Sequence, residues 1–304
     1  MVNAPAVIRI GIDPYIHLGP LTLAWHGLTI ALGILIGGVV AGRETRRRGL
    51  SVDPLSTIGV ILVVAALVGS RVFYLAEHGQ LGDPSAWIGT RGFTFYGGFI
   101  LVAISLIVYV RRSHLPIAYL DIVAAVLPLG YAIGRIGDVI NGEHYGPPTN
   151  FFLGVVNTNP AADVPRHDIA YHNGGLYEVL IGAFVFAVVW PLRHRLRRPW
   201  STVWAMLALF AVARFLEFFV RSDSASVALG LETAQWTSVA LLVVAAVGAW
   251  MTARHYGGAG STTAQPRRGD QSKPGAVPAD RPKSTTSRAD DGRGAQGRGP
   301  SGRR

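Results

Sequence analysis

The chain has 304 residues, of which 50% are hydrophobic and only 15% are charged, and its formal net charge is +10. It contains no cysteine, which excludes a disulfide framework, a thiolate metal site and a nucleophilic cysteine belonging to the chain itself. Most of the sparse charge lies outside long apolar runs, a pattern typical of a polytopic membrane protein. The runs follow one another too closely to leave room for a separate soluble domain between them.

Seven apolar runs are close to the ~20 residues that an α-helix needs to cross the hydrocarbon layer. The sequence therefore predicts an all-α polytopic membrane protein, a seven-span helical bundle that occupies residues 1–255. A cleavable signal peptide is not expected, because the first 20 residues lack a basic segment and arginines follow the first span. The predicted spans are 21–42, 57–76, 92–110, 117–140, 175–192, 202–220 and 233–253.

Basic residues predict the orientation of the spans. Arginines follow the first, third, fifth and seventh spans, so all four groups lie on one side of the membrane if the spans alternate. The positive-inside rule makes that side cytoplasmic. The N-terminus is then outside and the C-terminus cytoplasmic, and the loop 141–174 is expected to form a small outward-facing subdomain, either a connector or a lid.

Residues 256–304 differ in composition from the rest of the chain. Gly, Pro, Ser, Thr, Arg and Asp dominate, and few large apolar residues remain. Such a segment cannot bury enough surface to offset its ordering entropy, so it is predicted to be a disordered, basic cytoplasmic tail. Proximity to anionic lipid explains the excess of basic residues, and no nucleic-acid partner is expected.

Several predicted spans contain ionisable residues, which are costly in a membrane and often mark function. All of them except Asp121 lie toward the outward ends of their spans. One interpretation is structural pairing. The other is a shared cavity for an anionic lipid headgroup, favoured because the arginines are expected to outnumber what the nearby acids need. The ionisable set is Arg71, Asp121, Arg135, Asp138, Glu178, Arg214 and Glu217.

The richest segment runs from Gly134 to Gly146, where the fourth span ends. It combines an arginine, two acids and an asparagine with four glycines at the start, middle and end of the run. Glycine permits close approach of the backbone to a ligand, and the planar fork of arginine suits two phosphate oxygens at once. The segment therefore predicts a membrane-embedded site for an anionic headgroup.

The same segment resembles the signature G-R-[IL]-G-N-F-[IL]-N-G-E-x-[YW]-G of the prolipoprotein diacylglyceryl transferase family. Further family landmarks occur in the same order over roughly residues 10 to 253. Gly19 to Leu28 resembles G-P-x-x-x-x-W-Y-G-L, Gly69 to Arg71 resembles G-x-R, and Tyr96 to Gly98 resembles H-G-G. His172 to Glu178 resembles H-P-S-Q-L-Y-E, and Arg214 to Asp223, followed by Gln235, resembles R-x-x-x-E-F-x-R-x-x-D.

This resemblance implies a function. The diacylglyceryl group of phosphatidylglycerol would move to the lipobox cysteine thiol of an exported prolipoprotein, with release of glycerol phosphate. The implied partners are phosphatidylglycerol, the prolipoprotein signal peptide and the membrane, without a cofactor or metal. The implied location is the bacterial plasma (inner) membrane, with a multi-pass chain and an active site toward the outer leaflet.

Site residues are implied by the same motifs. Arg135 and Arg214 are the expected phosphate partners, Asn141 and Glu143 are expected to hold glycerol hydroxyls, and His172 to order the rim. The implied catalytic set is His26, Tyr96, Arg135 and Arg214. The implied substrate-binding set is Arg71, Gly97, Gly98, Asp138, Asn141, Gly142, Glu143, Gly146, His172, Glu178, Glu217 and Arg221.

The chain departs from the family pattern at reactive positions. Tyr96 replaces the H-G-G histidine and His26 replaces the W-Y-G tyrosine, which suggests that His26 has taken over the role of the base, with both side chains facing one cavity. Asp138 replaces an asparagine. Glu217 follows its arginine by three residues rather than four, and Phe210 lacks an expected hydroxyl.

Two functions therefore stay open. One is an active transferase with a rearranged acid–base pair. The other is a non-catalytic or altered-substrate paralogue that binds anionic lipid or a lipopeptide.

Overall fold

The computed structural model describes residues 8–88, 92, 94–221 and 226–257. The chain divides into two units, Met1–Ser261 and Thr262–Arg304. The second unit lies outside the described residues, as do residues 258–261, so the predicted tail remains a prediction.

Seven helices in the described part of the chain are long and apolar enough to cross a membrane, which confirms the predicted seven-span bundle. Six of them match the predicted spans to within about four residues at either end. We number the helices α1 (Trp25–Arg47), α2 (Pro54–Glu77), α3 (Phe95–Arg112), α4 (Ala118–Asn141), α5 (Gly174–Leu192), α6 (Ser201–Arg221) and α7 (Thr233–Gly257).

The start of the first span was predicted wrongly. Residues 21–24 form a strand that pairs antiparallel with residues 15–18, and α1 begins only at Trp25. Gly19 has a φ of +61°, a left-handed conformation that suits glycine, and with Pro20 it forms the turn between the two strands. The apolar run continues through this hairpin, so hydropathy alone could not separate strand from helix.

Eight short strands accompany the helices in the part of the chain that the structure describes, and four of them form one sheet in the order β1-β5-β6-β4. Strand β1 runs parallel to β5, and the other neighbours are antiparallel. Within the apolar run 151–156, a strand begins only at Val155, because residues 151–153 form a bend and a turn. The strands are β1 (Ile8–Ile10), β2 (Tyr15–Leu18), β3 (Leu21–Ala24), β4 (Tyr145–Pro148), β5 (Val155–Asn157), β6 (Tyr171–Asn173), β7 (Ser226–Ala228) and β8 (Leu231–Glu232).

The sheet lies where α4 ends and α5 begins. We call this end of the bundle the sheet end; the start of α1 and the end of α6 also lie there. Asn157 of β5 fixes the sheet to the last turn of α4 by donating hydrogen bonds from its Nδ2 to the carbonyl oxygens of Val139 (2.9 Å) and Ile140 (3.2 Å). The loop 141–174 is thus held against the end of α4 by hydrogen bonds.

Helix α4 is the centre of the bundle. In its apolar window 56% of the residues are buried inside the protein, whereas the other six windows are 22–39% buried. Glycines allow this close packing: a Cβ added to Gly33 of α1 would lie 2.4 Å from the carbonyl oxygen of Gly130, and one added to Gly182 of α5 would lie 2.8 Å from that of Pro128. Small residues at such contacts let helix backbones approach closely.

One consequence is testable at Gly137 of α4. A Cβ there would lie 2.5 Å from the Cα of His26, which is backbone and cannot swing aside. Gly137→Ala should therefore push α1 from α4 and cost about 1–3 kcal/mol of stability, seen as a lower thermal unfolding midpoint in detergent. The matched control is Gly38→Ala in α1, where no atom lies within 4 Å of the added Cβ. Equal midpoints for the two variants would contradict this packing.

Gly97 and Gly98 have a packing role between α3 and α2. Added Cβ atoms would lie 2.3 Å from the carbonyl oxygen of Gly69 and 2.4 Å from the Oγ of Ser70, respectively. Both glycines are buried. These contacts give both glycines a packing role between α2 and α3, and the substrate-binding role that the family resemblance implies for them stays a prediction.

Asp121 also has a structural role. Its carboxylate accepts hydrogen bonds from the backbone N–H groups of Trp200 (2.9 Å), Thr202 (3.0 Å) and Val203 (3.3 Å). These groups lie at the start of α6, where N–H groups lack partners within the helix. Asp121 thus caps α6 from α4, at the opposite end of the bundle from the sheet.

Candidate active site

A cluster of buried charges lies at the sheet end, with Glu178 at its centre. Glu178 belongs to the first turns of α5, and its side chain is 1% exposed. Its Oε2 lies 2.5 Å from the Nε of Arg135, and its Oε1 lies 2.8 Å from the Nη1 of Arg221 and also contacts the Nη1 of Arg214. One carboxylate therefore joins arginines from α4 and α6.

Glu217 is a second carboxylate of this cluster. Its oxygens lie 3.2 Å from the Nη1 of Arg214 and 3.4 Å from the Nη1 of Arg221. Residues three and four apart share one face of a helix, so Glu217 sits between the two arginines. The spacing that departs from the family pattern therefore still supplies a paired acid.

Asp138 is the third carboxylate, and its side chain is fully buried. It forms an ion pair with Arg135 and a hydrogen bond with the Nδ1 of His26. In the sequence, His26 and Asp138 are two separate departures from the family pattern, 112 positions apart. The structure brings them together as one histidine–carboxylate pair.

The charge balance corrects one expectation. Arg71, Arg135 and Arg214 were expected to exceed the nearby acids. Arg135 and Arg214, together with Arg221, are matched by Asp138, Glu178 and Glu217, and Arg71 donates to backbone carbonyl oxygens. Buried charges require such partners, because removing an ion from water is costly. A headgroup phosphate must therefore share these arginines with carboxylates instead of meeting bare cations.

A cavity of about 320 Å³ opens beside the cluster. Arg214 and Arg221 line it from α6, and Tyr96 and Phe95 line it from α3. His26 does not line this cavity. Tyr96 therefore lines this cavity without His26, since α1 packs on α4 and α3 packs on α2, and the prediction that the two side chains reach one substrate atom stays a prediction.

Two residues of the site escaped the sequence analysis. Glu77 lines the cavity and accepts a hydrogen bond of 3.0 Å from the Oγ1 of Thr94. It was overlooked because the second span was predicted to end one residue earlier, although an acid next to an apolar run was itself a signal. The second is Tyr131, whose hydroxyl lies 3.5 Å from the Nη1 of Arg214 and whose ring packs edge-on against Phe210. Tyr131 thus supplies a hydroxyl near the position where Phe210 lacks one.

The end of α4 places the remaining signature residues. Gly142 ends the helix with a φ of +75°, which favours glycine. The Nδ2 of Asn141 donates a hydrogen bond of 2.8 Å to Glu143, whose side chain is 32% exposed and lies 3.8 Å from the Nδ1 of His26. Gly146 allows close packing, since a Cβ added to it would lie 2.5 Å from the carbonyl oxygen of Arg221.

Arg71 and His172 contact other groups. Arg71 donates hydrogen bonds to the carbonyl oxygens of Gly92 (2.9 Å) and Ala86, so it holds the connection between α2 and α3. The Nδ1 of His172 lies 2.5 Å from the hydroxyl of Tyr177. Burial lowers the pKa of His172, which therefore stays neutral near pH 7.

One group of side chains has the composition of a metal site. Ligand atoms of His26, Asp138 and Glu143 lie within 4.8 Å of one another. However, the guanidinium of Arg135 forms an ion pair with the same Asp138 carboxylate, and its positive charge opposes a second cation there. The arrangement suits an imidazole held between acids better than a bound metal.

Comparison with known proteins agrees with these features. A family model described as prolipoprotein diacylglyceryl transferase matches residues 14–251. Similar proteins include the phosphatidylglycerol–prolipoprotein diacylglyceryl transferases of Dehalococcoides mccartyi (29% identical, over 79% of this chain and 93% of the relative), Streptococcus agalactiae (30%, over 76% and 92%) and Cupriavidus metallidurans (32%, over 77% and 91%).

The matched region covers all seven membrane helices except the last residues of α7, and it includes every member of the buried charge cluster. The chain therefore belongs to the prolipoprotein diacylglyceryl transferase family.

Proposed function

We propose that this chain transfers the diacylglyceryl group of phosphatidylglycerol to the lipobox cysteine thiol of an exported prolipoprotein. The observation that carries the proposal is the buried cluster that links His26, Asp138, Arg135, Glu178 and Arg214 at one end of the bundle. The relatives named above are transferases of this kind.

Arg214 has the features of the phosphate-binding residue. Its hydrogen bonds and ion pairs within the described residues all use Nη1, which leaves Nη2 for a ligand, and the side chain lines the cavity. A guanidinium N–H and a phosphate oxygen form a short, charge-assisted hydrogen bond. As the bond between the glycerol carbon and the phosphate oxygen breaks, negative charge grows on the departing glycerol phosphate, and Arg214 stabilises it.

His26 has the features of the base. When its Nδ1–H donates to the Asp138 carboxylate, Nε2 carries the free lone pair, as in other carboxylate-oriented histidines. The side chain is 40% exposed, so a substrate thiol can reach it. Nε2 accepts the thiol proton, the thiolate sulfur attacks the glycerol carbon, and a thioether forms as glycerol phosphate leaves.

The ion pairs connect these two functions. Asp138, which orients His26, also holds Arg135, and Arg135 shares Glu178 with Arg214. The base and the phosphate-binding arginine are therefore fixed on one rigid frame built from α4, α5 and α6. Such preorganisation lowers the barrier, because little reorientation is left for the moment of reaction.

The proposed setting is the bacterial plasma membrane, with the sheet end toward the outer leaflet. Arginines lie in the last turn of α1, α3 and α7 and directly after α5, at the opposite end of the bundle, and the positive-inside rule assigns that end to the cytoplasm. The site would then meet exported prolipoproteins and outer-leaflet phosphatidylglycerol on the same side.

The test is transfer activity in two settings. The purified chain, in vesicles containing phosphatidylglycerol, should convert a lipobox peptide into its diacylglyceryl thioether, detected by mass spectrometry. The gene should also support growth of a strain depleted of its own transferase. Peptide and lipid binding without thioether formation, together with failed complementation, would instead indicate the non-catalytic relative.

A further inference from the structure

A second cavity lies at the opposite end of the bundle from the sheet. Its volume is about 440 Å³, and it forms where α1 ends, where α4 begins, and where the chain passes from α5 to α6. Four arginines line it, namely Arg47, Arg48, Arg193 and Arg197. None of them belongs to the cluster at the sheet end, so this cavity is separate from the candidate active site.

The two carboxylates of this cavity are already engaged. Glu44 accepts hydrogen bonds from the Nε of Arg48 (2.9 Å) and the Nη2 of Arg193 (3.2 Å). Asp121 caps the start of α6, as described above. Arg47 and Arg197 form no ion pair with a described residue, so the cavity carries an excess of positive charge.

Arg193 adds a buried donor without a partner. Its side chain is 3% exposed, and its guanidinium lies 3.4 Å above the ring of Trp190. Nη1 donates to the carbonyl oxygen of Trp190 and Nη2 to Glu44, but Nε has no hydrogen-bond partner in the described part of the chain. A buried N–H without a partner costs about 1–3 kcal/mol, so an added acceptor is favourable here.

We propose that this cavity binds the phosphate group of an anionic lipid in the leaflet opposite the candidate active site. Arginine forks suit phosphate oxygens, and arginine clusters next to membrane helices attract anionic lipids. Exposed apolar side chains of α1, such as Leu35 and Val39, offer contact for the acyl chains. The bound lipid is not a reactant; it joins α1, α4 and the start of α6 and so stabilises the bundle.

The probe is dihexanoyl phosphatidic acid below its micellar concentration, added to the full chain in neutral detergent at constant ionic strength. Phosphatidylglycerol is avoided, because it is the proposed substrate at the other end. A ligand that binds only the folded protein raises the free energy of unfolding by RT ln(1 + c/Kd), with c the free ligand concentration, so the unfolding midpoint rises as binding tightens. Inorganic phosphate is tested in parallel, to distinguish a lipid-borne phosphate from a free one.

The test variant is the double substitution Arg47→Gln with Arg197→Gln; both side chains are exposed, so folding should be retained. The matched control is Arg46→Gln with Arg195→Gln, which removes two exposed arginines from the same end without altering the cavity lining. We expect the test variant to bind the probe about tenfold or more weakly, and the control to remain within about twofold of the unchanged protein.

A second variant, Ala118→Glu, adds a carboxylate to the cavity lining without removing an arginine, and it should weaken probe binding as strongly. If phosphatidic acid raises the unfolding midpoint and inorganic phosphate does not, the cavity binds a lipid headgroup. If inorganic phosphate raises the midpoint equally, the cavity binds the free anion instead. Equal losses in the test and control variants would overturn the proposal in favour of general surface charge. So would unchanged binding in the test variant or in Ala118→Glu.

Discussion

Arg214→Lys is expected to lower the rate of diacylglyceryl transfer by about 100- to 1000-fold, the usual effect of losing one transition-state donor. Lysine keeps a positive charge between Glu178 and Glu217, so the buried acids stay neutralised. It cannot, however, offer a second N–H group to phosphate while it holds both carboxylates. The rate is measured per folded molecule, with folding followed by size exclusion and thermal unfolding.

Arg214→Ala provides the contrast. It leaves Glu217 with Arg221 alone and removes one of the three arginines around Glu178, and breaking a buried pair costs about 3–5 kcal/mol. The alanine variant should therefore lose both folded protein and activity. A lysine variant with nearly full activity would show that Arg214 is only a counter-ion for the buried acids, and that the phosphate is bound elsewhere.

His26→Ala should lose about 100-fold or more of the transfer rate, the usual scale for a general base. Asp138→Asn should also lose activity, because an amide no longer fixes the Nδ1–H tautomer that leaves Nε2 free. The two residues act as a unit, so the double variant should be little slower than His26→Ala alone. Initial rates of thioether formation give all three values.

Tyr96→Phe is the matched comparison, since Tyr96 lines the cavity whereas His26 is the histidine that Asp138 holds. It should lose less activity than His26→Ala. The opposite order would assign the acid–base role to Tyr96. Losses that multiply in the His26 and Asp138 double variant would show that the two residues act independently, against the proposed pair.

The number and order of the membrane helices could be predicted from the sequence, because an apolar run of membrane length has no stable alternative to a helix in the bilayer. The family could be predicted as well, since its landmarks are short contiguous motifs. The exception was the start of α1, where residues 21–24 are apolar but form a strand. Hydropathy does not distinguish these two structures in a short segment.

The glycine motifs show a limit of sequence patterns. Gly97 and Gly98 belong to a family motif, but only the fold shows that α2 approaches both of them closely. Glycine in a sequence signals a close approach of something to the backbone; it does not tell whether that neighbour is a ligand or another helix.

The collection of charged residues near one end of the spans can be recognised in the sequence, because ionisable side chains stand out against apolar runs. Their pairing cannot, because it depends on which helices pack together. His26 forms a hydrogen bond with Asp138, 112 positions away in the sequence, and Arg221 forms one with Glu178, 43 positions away. These charged residues, which were expected to bind substrate, are therefore paired with each other. The physical reason is that a buried charge must be neutralised by whichever group the helix packing brings near. Packing depends on glycine contacts between distant segments, which no local pattern records.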